Sequence, residues 1–244
     1  MTDSISTIFF DVGGTLRRNI DRDEASRAVI VQRLIDLLGI PASAVEFART
    51  LTARSDAYEQ WAAANLIELD ETHLWTDWML PEYAPEKIRP IALQLNSIWR
   101  EAICTRVLFP ETAPVVLGLH RNGYRLGVVS NTTSSTDAPS MLKAAGIADF
   151  MEVILLSSVF GKRKPDPAIL LEAAARMGVP PNQCAYIGDR PDWDVVAARR
   201  AGFGMAVLRR DPGEPLVSPL PPELTPDYFI DTLQDLLPIF PPLP

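Results

Sequence analysis

Polar side chains follow four hydrophobic segments that lie far apart in the chain, and their types suit chemistry on a phosphoryl group. They belong to Asp11, Ser130, Asn131, Lys164, Asp189 and Asp194. A carboxylate can act as a nucleophile, short hydroxyl and amide groups can hydrogen-bond an anion, and a lysine supplies a compact positive charge. The last two carboxylates offer the hard oxygen ligands that Mg²⁺ prefers.

The first of these segments carries one carboxylate into a glycine turn. Residues 7–10 are β-branched and aromatic, which is typical of a buried strand, and Asp11 stands at the carboxyl end of that run. Gly13 and Gly14 then predict a tight turn. In an open parallel sheet, ligands bind at the carboxyl ends of the strands. Taken alone, the segment fits an ordinary strand and glycine turn equally well.

Each of the other segments also has an ordinary structural explanation. A Ser-Asn pair after a strand is a common turn. A lysine in the run Lys162-Arg163-Lys164 is typical of a solvated loop, and Gly188-Asp189 can be no more than a helix cap. Their occurrence together, each at the end of a predicted strand, favours one shared site.

The elements that must position these residues are those of an α/β fold. From residue 109 onward, helix and strand patterns alternate, which predicts a doubly wound parallel sheet. The predicted strands in this part lie at 125–129, 153–156, 184–187 and 228–230. Ten of the 22 prolines fall between Pro212 and Pro244, so we expect an irregular connection, a last edge strand and a frayed terminus there.

Between the first turn and residue 108, helical spacing replaces the strand pattern. Apolar residues recur every three or four positions in four segments, the first of which ends at Gly39, a predicted C-cap. No strand is predicted in this stretch. We therefore expect an α-helical bundle cap at 18–108, inserted into an α/β core domain formed by 1–17 and 109–244.

Composition narrows the classes of partner. A net charge of −8 and a pI near 4.9 argue against nucleic acid and against an anionic membrane surface. We find neither a signal peptide nor a hydrophobic run of membrane-spanning length, so we expect a cytoplasmic protein. Cys104 and Cys184 lie 80 positions apart and are predicted to be reduced core thiols.

Taken together, the motifs resemble those of the haloacid dehalogenase (HAD) superfamily, in its phosphatase-like branch with a helical cap inserted after the first motif. The family's first motif has the pattern Asp-x-Asp-x-Thr. The corresponding residues are Asp11 to Thr15 for the first motif, Ser130 and Asn131 for the second, Lys164 for the third, and Gly188, Asp189 and Asp194 for the fourth. The resemblance covers residues 5–210 in order.

The resemblance implies a Mg²⁺-dependent hydrolase that acts on a small phosphorylated metabolite through an aspartyl-phosphate intermediate. Asp11 would attack the phosphorus atom. Mg²⁺ would be held by Asp11, the backbone carbonyl of Gly13 and Asp189, with Asp194 acting through water or through contacts to the ligands.

The resemblance also implies how the substrate is held. Ser130 and Asn131 would bind phosphoryl oxygens. Lys164 would neutralise the negative charge that accumulates where the Asp11 carboxylate meets the phosphate.

The chain departs from the family pattern at one position, where Gly13 replaces the second aspartate of the first motif. In the family's phosphatases that carboxylic acid protonates the leaving oxygen and later activates water. Its loss costs on the order of 10² to 10⁴ in rate. A carbonyl ligand survives the replacement, because every residue supplies one.

Three interpretations follow from this departure. The favoured one is a phosphatase with a surrogate acid or a water in place of the lost side chain, or with a preference for good leaving groups such as acyl phosphates. The second is a weak or inactive relative that serves binding or regulation. The third is phosphonatase- or dehalogenase-type chemistry. Asp189 and Asp194 argue against a dehalogenase, and Lys87, the only lysine of the helical segment, lies late for a phosphonatase.

Overall fold

The computed structural model describes residues 4–210 and 220–244. The strands are β1 (Thr7–Phe10), β2 (Arg17–Asp21), β3 (Cys104–Leu108), β4 (Arg125–Ser130), β5 (Met151–Leu156), β6 (Cys184–Gly188), β7 (Met205–Arg209) and β8 (Tyr228–Ile230). The helices are α1 (Glu24–Leu38), α2 (Ala44–Asn65), α3 (Glu71–His73), α4 (Pro85–Ile88), α5 (Ala92–Ile103), α6 (Thr112–Arg121), α7 (Asp137–Ala144), α8 (Ser157–Phe160), α9 (Ala168–Met177), α10 (Val196–Ala201) and α11 (Leu236–Ile239). Most of the irregular connection predicted after residue 210 lies outside the described residues.

Six of these strands form one parallel sheet in the order β5-β4-β1-β6-β7-β8. The first strand lies inside the sheet and pairs with β4 on one side and with β6 on the other. The winding of the chain therefore reverses beside β1, and the carboxyl ends of β1, β4 and β6 meet at the point where open α/β sheets bind ligands. The predicted doubly wound parallel sheet is confirmed, with β8 as one of its two edge strands.

The strands are apolar on both faces because helices cover both faces. In β1, Ile8 and Phe10 pack into the core on one side of the sheet, whereas Phe9 packs into the core on the other side. Successive side chains of a strand point to opposite faces, so a strand buried on both sides reads as a continuous apolar run. This explains why the run at residues 7–10 could be identified without alternation.

Helices α1 to α5, which we call the helical insert (residues 24–103), pack around a core of their own. Leu51, Trp75 and Leu95 are completely buried in it. The first helix ends at Gly39, as predicted, with a left-handed backbone whose N–H donates to the carbonyl of Asp36. The helical character expected for this stretch is confirmed.

The expectation that residues 18–108 contain no strand is wrong. At the two ends of this stretch β2 and β3 pair antiparallel, with Asp21 opposite Cys104 and Arg17 opposite Leu108. Four of the five β2 residues are exposed, so this strand has no alternating apolar pattern to reveal it. Its partner lies more than 80 positions along the chain, which local sequence patterns do not report.

The cysteines and the helices of the fold bear on two expectations drawn from the sequence. Cys104 and Cys184 are both buried and form no disulfide, as predicted. Within residues 4–210 and 220–244, no helix combines the length and the apolar character needed to cross a bilayer.

The core of the helical insert should contribute to the free energy of unfolding in proportion to burial. Leu51 is fully buried and Leu93 is 57% exposed, both on helices of the insert. We expect Leu51→Ala to lower the free energy of unfolding by about 2 to 5 kcal/mol, and the matched Leu93→Ala to change it by less than about 0.5 kcal/mol. Urea denaturation of the two variants checks this, and equal effects would contradict the packing described.

Candidate active site

The Asp11 carboxylate lies at the carboxyl end of β1, on the floor of a cleft. The backbone N–H of Asp11 donates to the carbonyl of Ile187 on β6 at 2.8 Å, which continues the sheet pairing by one residue. The side chain is buried but lines a cleft of about 810 Å³. Asp11 is therefore both fixed by the sheet and accessible to a small ligand.

Lys164 brings a positive charge to this carboxylate from the loop after α8. Its Nζ donates to Asp11 Oδ1 at 2.8 Å, to Asp194 Oδ1 at 2.6 Å and to the Tyr186 hydroxyl at 2.6 Å. The Lys164 side chain is only 1% exposed. Three acceptors for three ammonium hydrogens satisfy the charge fully, which a buried lysine requires.

The two residues that follow the fourth strand have different surroundings. The Asn131 side chain contacts the backbone of Lys164: its Oδ1 accepts from the Lys164 N–H at 2.9 Å, and its Nδ2 donates to the Lys164 carbonyl at 3.0 Å. Ser130 is buried at the end of β4, and its hydroxyl interacts with the Asp11 carboxylate. In this geometry Asn131 positions Lys164 through its side chain, and Ser130 faces Asp11.

Two carboxylates reach the site from the loop after β6. Asp189 and Asp194 each bring an oxygen to within 4.8 Å of an Asp11 oxygen and of one another. Asp194 Oδ2 accepts from the backbone N–H groups of Asp189 and Arg190 at 3.0 and 2.9 Å, and its Oδ1 faces Lys164. Both Asp194 oxygens are thus occupied, whereas within residues 4–210 and 220–244 the side-chain hydrogen bond to the Asp189 carboxylate is a long one, 3.5 Å, from the Thr15 hydroxyl.

The charges of this group do not balance among themselves. Among the described residues, Lys164 is the cation that forms ion pairs with Asp11 and Asp194, so three ionised carboxylates leave two negative charges unpaired, although the charge of Arg190 also acts on Asp189. Burial, together with the charges of Asp11 and Asp194, raises the pKa of Asp189 to about 8. Burial also raises the pKa of Asp11. For Lys164 the effect of burial is outweighed by the two carboxylates, which raise its pKa well above the usual value.

This donor set fits a divalent cation. Hard carboxylate oxygens are the ligands that Mg²⁺ takes, and the excess of negative charge equals the charge that the ion carries. Asp11 and Asp189 are the two carboxylates with capacity for direct coordination, while the hydrogen bonds of Asp194 suit it to holding the loop and Lys164 in place.

The two glycines of the first motif have different surroundings. A Cβ on Gly13 would meet no atom within 4 Å, and the residue faces the open cleft. A Cβ on Gly14, whose φ is +73°, would lie 2.0 Å from Asp189 Oδ2. Only glycine fits at position 14, because the Asp189 carboxylate approaches the backbone there; position 13 imposes no such requirement.

Several residues that support the site were not singled out from the sequence. Tyr186 accepts from Lys164 and donates to the Val129 carbonyl at 2.6 Å. Arg209 donates to the Gly14 carbonyl at 2.8 Å, and its guanidinium stacks 3.6 Å from the centre of the Phe109 ring. The sequence offered a signal for Tyr186, which is a tyrosine in a predicted buried strand two positions before Gly188-Asp189. It offered none for Arg209, whose contact with Gly14 joins residues 195 positions apart.

The cleft is bordered by arginines but offers few acids. Among the described residues that line it, four are arginines, from the second strand, the loop after β6 and the end of β7: Arg18, Arg190, Arg209 and Arg210. Apart from Asp11, Asp189 and Asp194, the acid among the described lining residues is Asp192, which forms an ion pair with Arg190. None of the described lining residues is a histidine, glutamate, tyrosine or cysteine.

A family model described as haloacid dehalogenase-like hydrolase matches residues 5–202. The chain belongs to this family. The predicted membership of the HAD superfamily is therefore confirmed, over a stretch that includes the helical insert and all the strand-end residues described above.

Individual relatives of this HAD-like hydrolase match about half of it. A glyceraldehyde 3-phosphate phosphatase of Methanopyrus kandleri is 33% identical over 129 residues, 53% of this chain and 54% of the relative. A phosphoglycolate phosphatase of Salmonella typhimurium is 34% identical over 134 residues, 54% of this chain and 50% of the relative. The chain thus spans about half the length of the curated relatives it matches.

Solved structures match the HAD-like hydrolase over almost its whole length. A HAD phosphatase of Thermococcus onnurineus has a TM-score of 0.60 and 24% identity, and the match covers 98% of this chain and 99% of that one. A 2-haloacid dehalogenase of Pseudomonas syringae pv. Tomato has a TM-score of 0.66 and 22% identity, covering 95% and 96%. These similarities show that the fold is shared.

The difference between the two glycines can be measured as stability. We expect Gly14→Ala to lower the free energy of unfolding by at least about 1 to 2 kcal/mol from the left-handed backbone alone, with a further loss because Asp189 must move. Gly13→Ala should stay within about 1 kcal/mol of the native chain. Guanidinium denaturation of both metal-free variants checks this, and a Gly14→Ala protein as stable as Gly13→Ala would refute the close approach of Asp189.

Proposed function

We propose that this HAD-like hydrolase is a Mg²⁺-dependent phosphatase that acts on a small phosphorylated metabolite through a phosphorylated Asp11. The observation that carries the proposal is the convergence of Asp11, Asp189 and Lys164 on one cleft from three separate strand ends. The names of the relatives, which are phosphatases of small metabolites, support the same reaction class.

In the proposed reaction, Asp11 is the nucleophile, and Lys164, Ser130 and Asn131 hold the phosphoryl group or position its ligands. A carboxylate oxygen of Asp11 forms a bond to phosphorus while the bond from phosphorus to the leaving oxygen breaks. Water then cleaves the acyl phosphate, which releases inorganic phosphate and restores Asp11. Lys164 and Ser130 neutralise and hydrogen-bond the oxygens that gather around phosphorus, and Asn131 keeps the Lys164 backbone in place.

Asp11, Asp189 and the Gly13 carbonyl would hold Mg²⁺, with Asp194 fixing the loop that carries Asp189. The ion, when bound, supplies positive charge that lets an anionic phosphate approach an anionic nucleophile. The four arginines that border the cleft favour an anionic substrate over a neutral one.

The helical insert serves as a cap in this proposal, with 18–108 as the cap domain and 1–17 and 109–244 as the core domain. Polar contacts join it to the core: Asn96 donates to the Thr133 carbonyl at 2.8 Å, and Glu71 accepts from the backbone and hydroxyl of Ser135. Both contacts fall on the loop that follows Ser130 and Asn131. Docking of the cap and the geometry of the phosphate-binding loop are thereby linked.

The position of Gly13 points to substrates with good leaving groups. Apart from Asp11 and Asp189, which the proposal assigns to attack and to metal binding, the acids among the described residues of the cleft are paired: Asp194 with Lys164 and Asp192 with Arg190. An acyl phosphate releases a carboxylate, which needs no proton at neutral pH, because its pKa is near 4. We therefore propose acyl phosphates and similarly activated esters as the preferred substrate class.

Asp11→Asn tests the nucleophile. It removes the attacking charge and retains the size of the side chain, so we expect hydrolysis of acetyl phosphate to fall on the order of 10³-fold or more. Hydrolysis by the native protein should also disappear with EDTA and return with Mg²⁺. Release of inorganic phosphate gives both readings. Unchanged turnover in Asp11→Asn would remove the nucleophile assignment, and no turnover by the native protein with any phosphate would favour a binding or regulatory role.

Gly13→Asp tests whether the missing acid limits the enzyme. The open space at this position accepts the side chain, so we expect turnover of alkyl phosphates to rise by roughly tenfold or more. The matched Gly13→Asn variant has the same shape without the acid and should give no increase. The ratio of acetyl phosphate to glycerol phosphate turnover in the three proteins is the measurement. An equal increase in both variants would show that the effect is not acid catalysis.

A further inference from the structure

A second group of charges lies away from the Asp11 cleft, where the helical insert meets the core. Three guanidinium groups converge on a single carboxylate oxygen, Asp137 Oδ2 at the start of α7. Arg17 and Arg100 each approach it at 2.7 Å, and Arg106 approaches it at 3.3 Å. The arginines come from β2, α5 and β3, so the cluster joins three elements of the insert region to one helix of the core.

One carboxylate does not balance three guanidinium groups. The cluster carries two excess positive charges, and the side chains of Arg17, Arg100 and Arg106 are 6%, 15% and 15% exposed. Burial and repulsion from Arg100 lower the pKa of Arg106 to about 10. Charge that is removed from water in this way is stabilised by a counter-ion.

The cluster also has spare hydrogen-bonding capacity. Among the described residues, the buried Nε atoms of Arg17 and Arg100 have no hydrogen-bond partner, and the Arg106 Nε approaches Asp137 Oδ2 at 3.3 Å without forming a hydrogen bond. Arg22, Arg100 and Arg106 border a cleft of about 350 Å³ that is separate from the Asp11 cleft. Two carboxylates line it as well: Asp137, which the cluster surrounds, and Glu101, which pairs with Arg33 at 2.7 Å. Hydroxyl groups of Ser134, Thr136 and Ser140 line the same space, and the last two residues are exposed at its mouth.

We propose that this cleft between α5 and α7 binds a phosphate-type oxyanion, free or attached to a small molecule, through Arg100, Arg106 and the hydroxyls of Thr136 and Ser140. Guanidinium groups pair with phosphate oxygens in bidentate fashion, and serine and threonine hydroxyls donate to the remaining oxygens. The excess charge of the cluster matches a dianion. The volume exceeds that of inorganic phosphate and leaves room for a small substituent.

Occupancy of this site would stabilise the docking of the insert. Arg100 already donates to the Thr133 hydroxyl at 3.2 Å, on the loop that follows Ser130 and Asn131. An anion that pairs with Arg100 and with α7 therefore connects the insert to the same loop that lines the Asp11 cleft. The inference concerns binding only, and it holds whether or not the chain hydrolyses phosphates.

Calorimetric titration with inorganic phosphate in EDTA tests the proposal. EDTA keeps divalent cations away from the carboxylates of the Asp11 cleft, whereas the arginine cluster needs no metal, and the Ser140 variants assign any binding to the cleft between α5 and α7. We expect saturable binding by the native protein. Ser140→Asp places a carboxylate at the mouth of the cleft and should weaken binding by about tenfold or more, while the neutral, equally sized Ser140→Asn should not.

Two further measurements complete the test. Arg106→Met should abolish binding, with circular dichroism as a check on folding. If that variant does not fold, the Ser140→Asp and Ser140→Asn variants decide the question.

Phosphonoacetate, which carries a phosphonate on a small organic group, replaces inorganic phosphate in a second titration. Tighter binding of phosphonoacetate identifies a phosphorylated small molecule as the ligand, and tighter binding of inorganic phosphate identifies the free ion. No saturable binding by the native protein, or equal affinities in Ser140→Asp and Ser140→Asn, overturns the proposal.

Discussion

The ammonium group of Lys164 is the interaction on which the candidate site depends. It contacts Asp11 after β1, Tyr186 within β6 and Asp194 in the loop beyond β6, while its backbone is held by Asn131 after β4. A buried ion pair is costly unless every partner is present, because removal of one leaves an uncompensated charge in a medium of low polarity. The order of the sheet, with β1 between β4 and β6, is what brings these partners within reach of one side chain.

Much of this site could be predicted because parallel strands end at the same edge of a sheet. Asp11, Lys164 and Asp189 each follow an apolar segment, so strand prediction alone brings them to one region. The contacts of the Asn131 side chain could not be predicted: serine-asparagine after a strand fits anion binding and loop support equally well, and the difference is a pair of hydrogen bonds to residue 164. Local patterns also gave no indication of the β2–β3 pairing, since β2 is polar and its partner is distant.

Contacts between the helical insert and the core concentrate on the loops that carry the site. Glu68 of the insert is buried, accepts from the Tyr58 and Ser157 hydroxyls, and lies 3.5 Å from Arg163, the residue before Lys164. Burial raises the pKa of Glu68 despite the arginine nearby. A polar interface of this kind is more readily separated and re-formed than an apolar core of the same size, because water can replace the hydrogen bonds on each side. The insert can therefore contact the loops of the site and still be able to separate from them.

The first motif shows how a family pattern can separate into independent physical requirements. Gly14 is required by its left-handed backbone conformation and by the Asp189 carboxylate beside it. Position 13 faces open space, and nothing in its surroundings demands either glycine or aspartate. An exchange between aspartate and glycine at position 13 therefore leaves the fold and the carboxylate cluster without a steric conflict. In the proposed reaction, two steps would proceed without this acid: departure of the leaving group, which an activated substrate makes easier, and activation of the water that cleaves the phosphorylated Asp11.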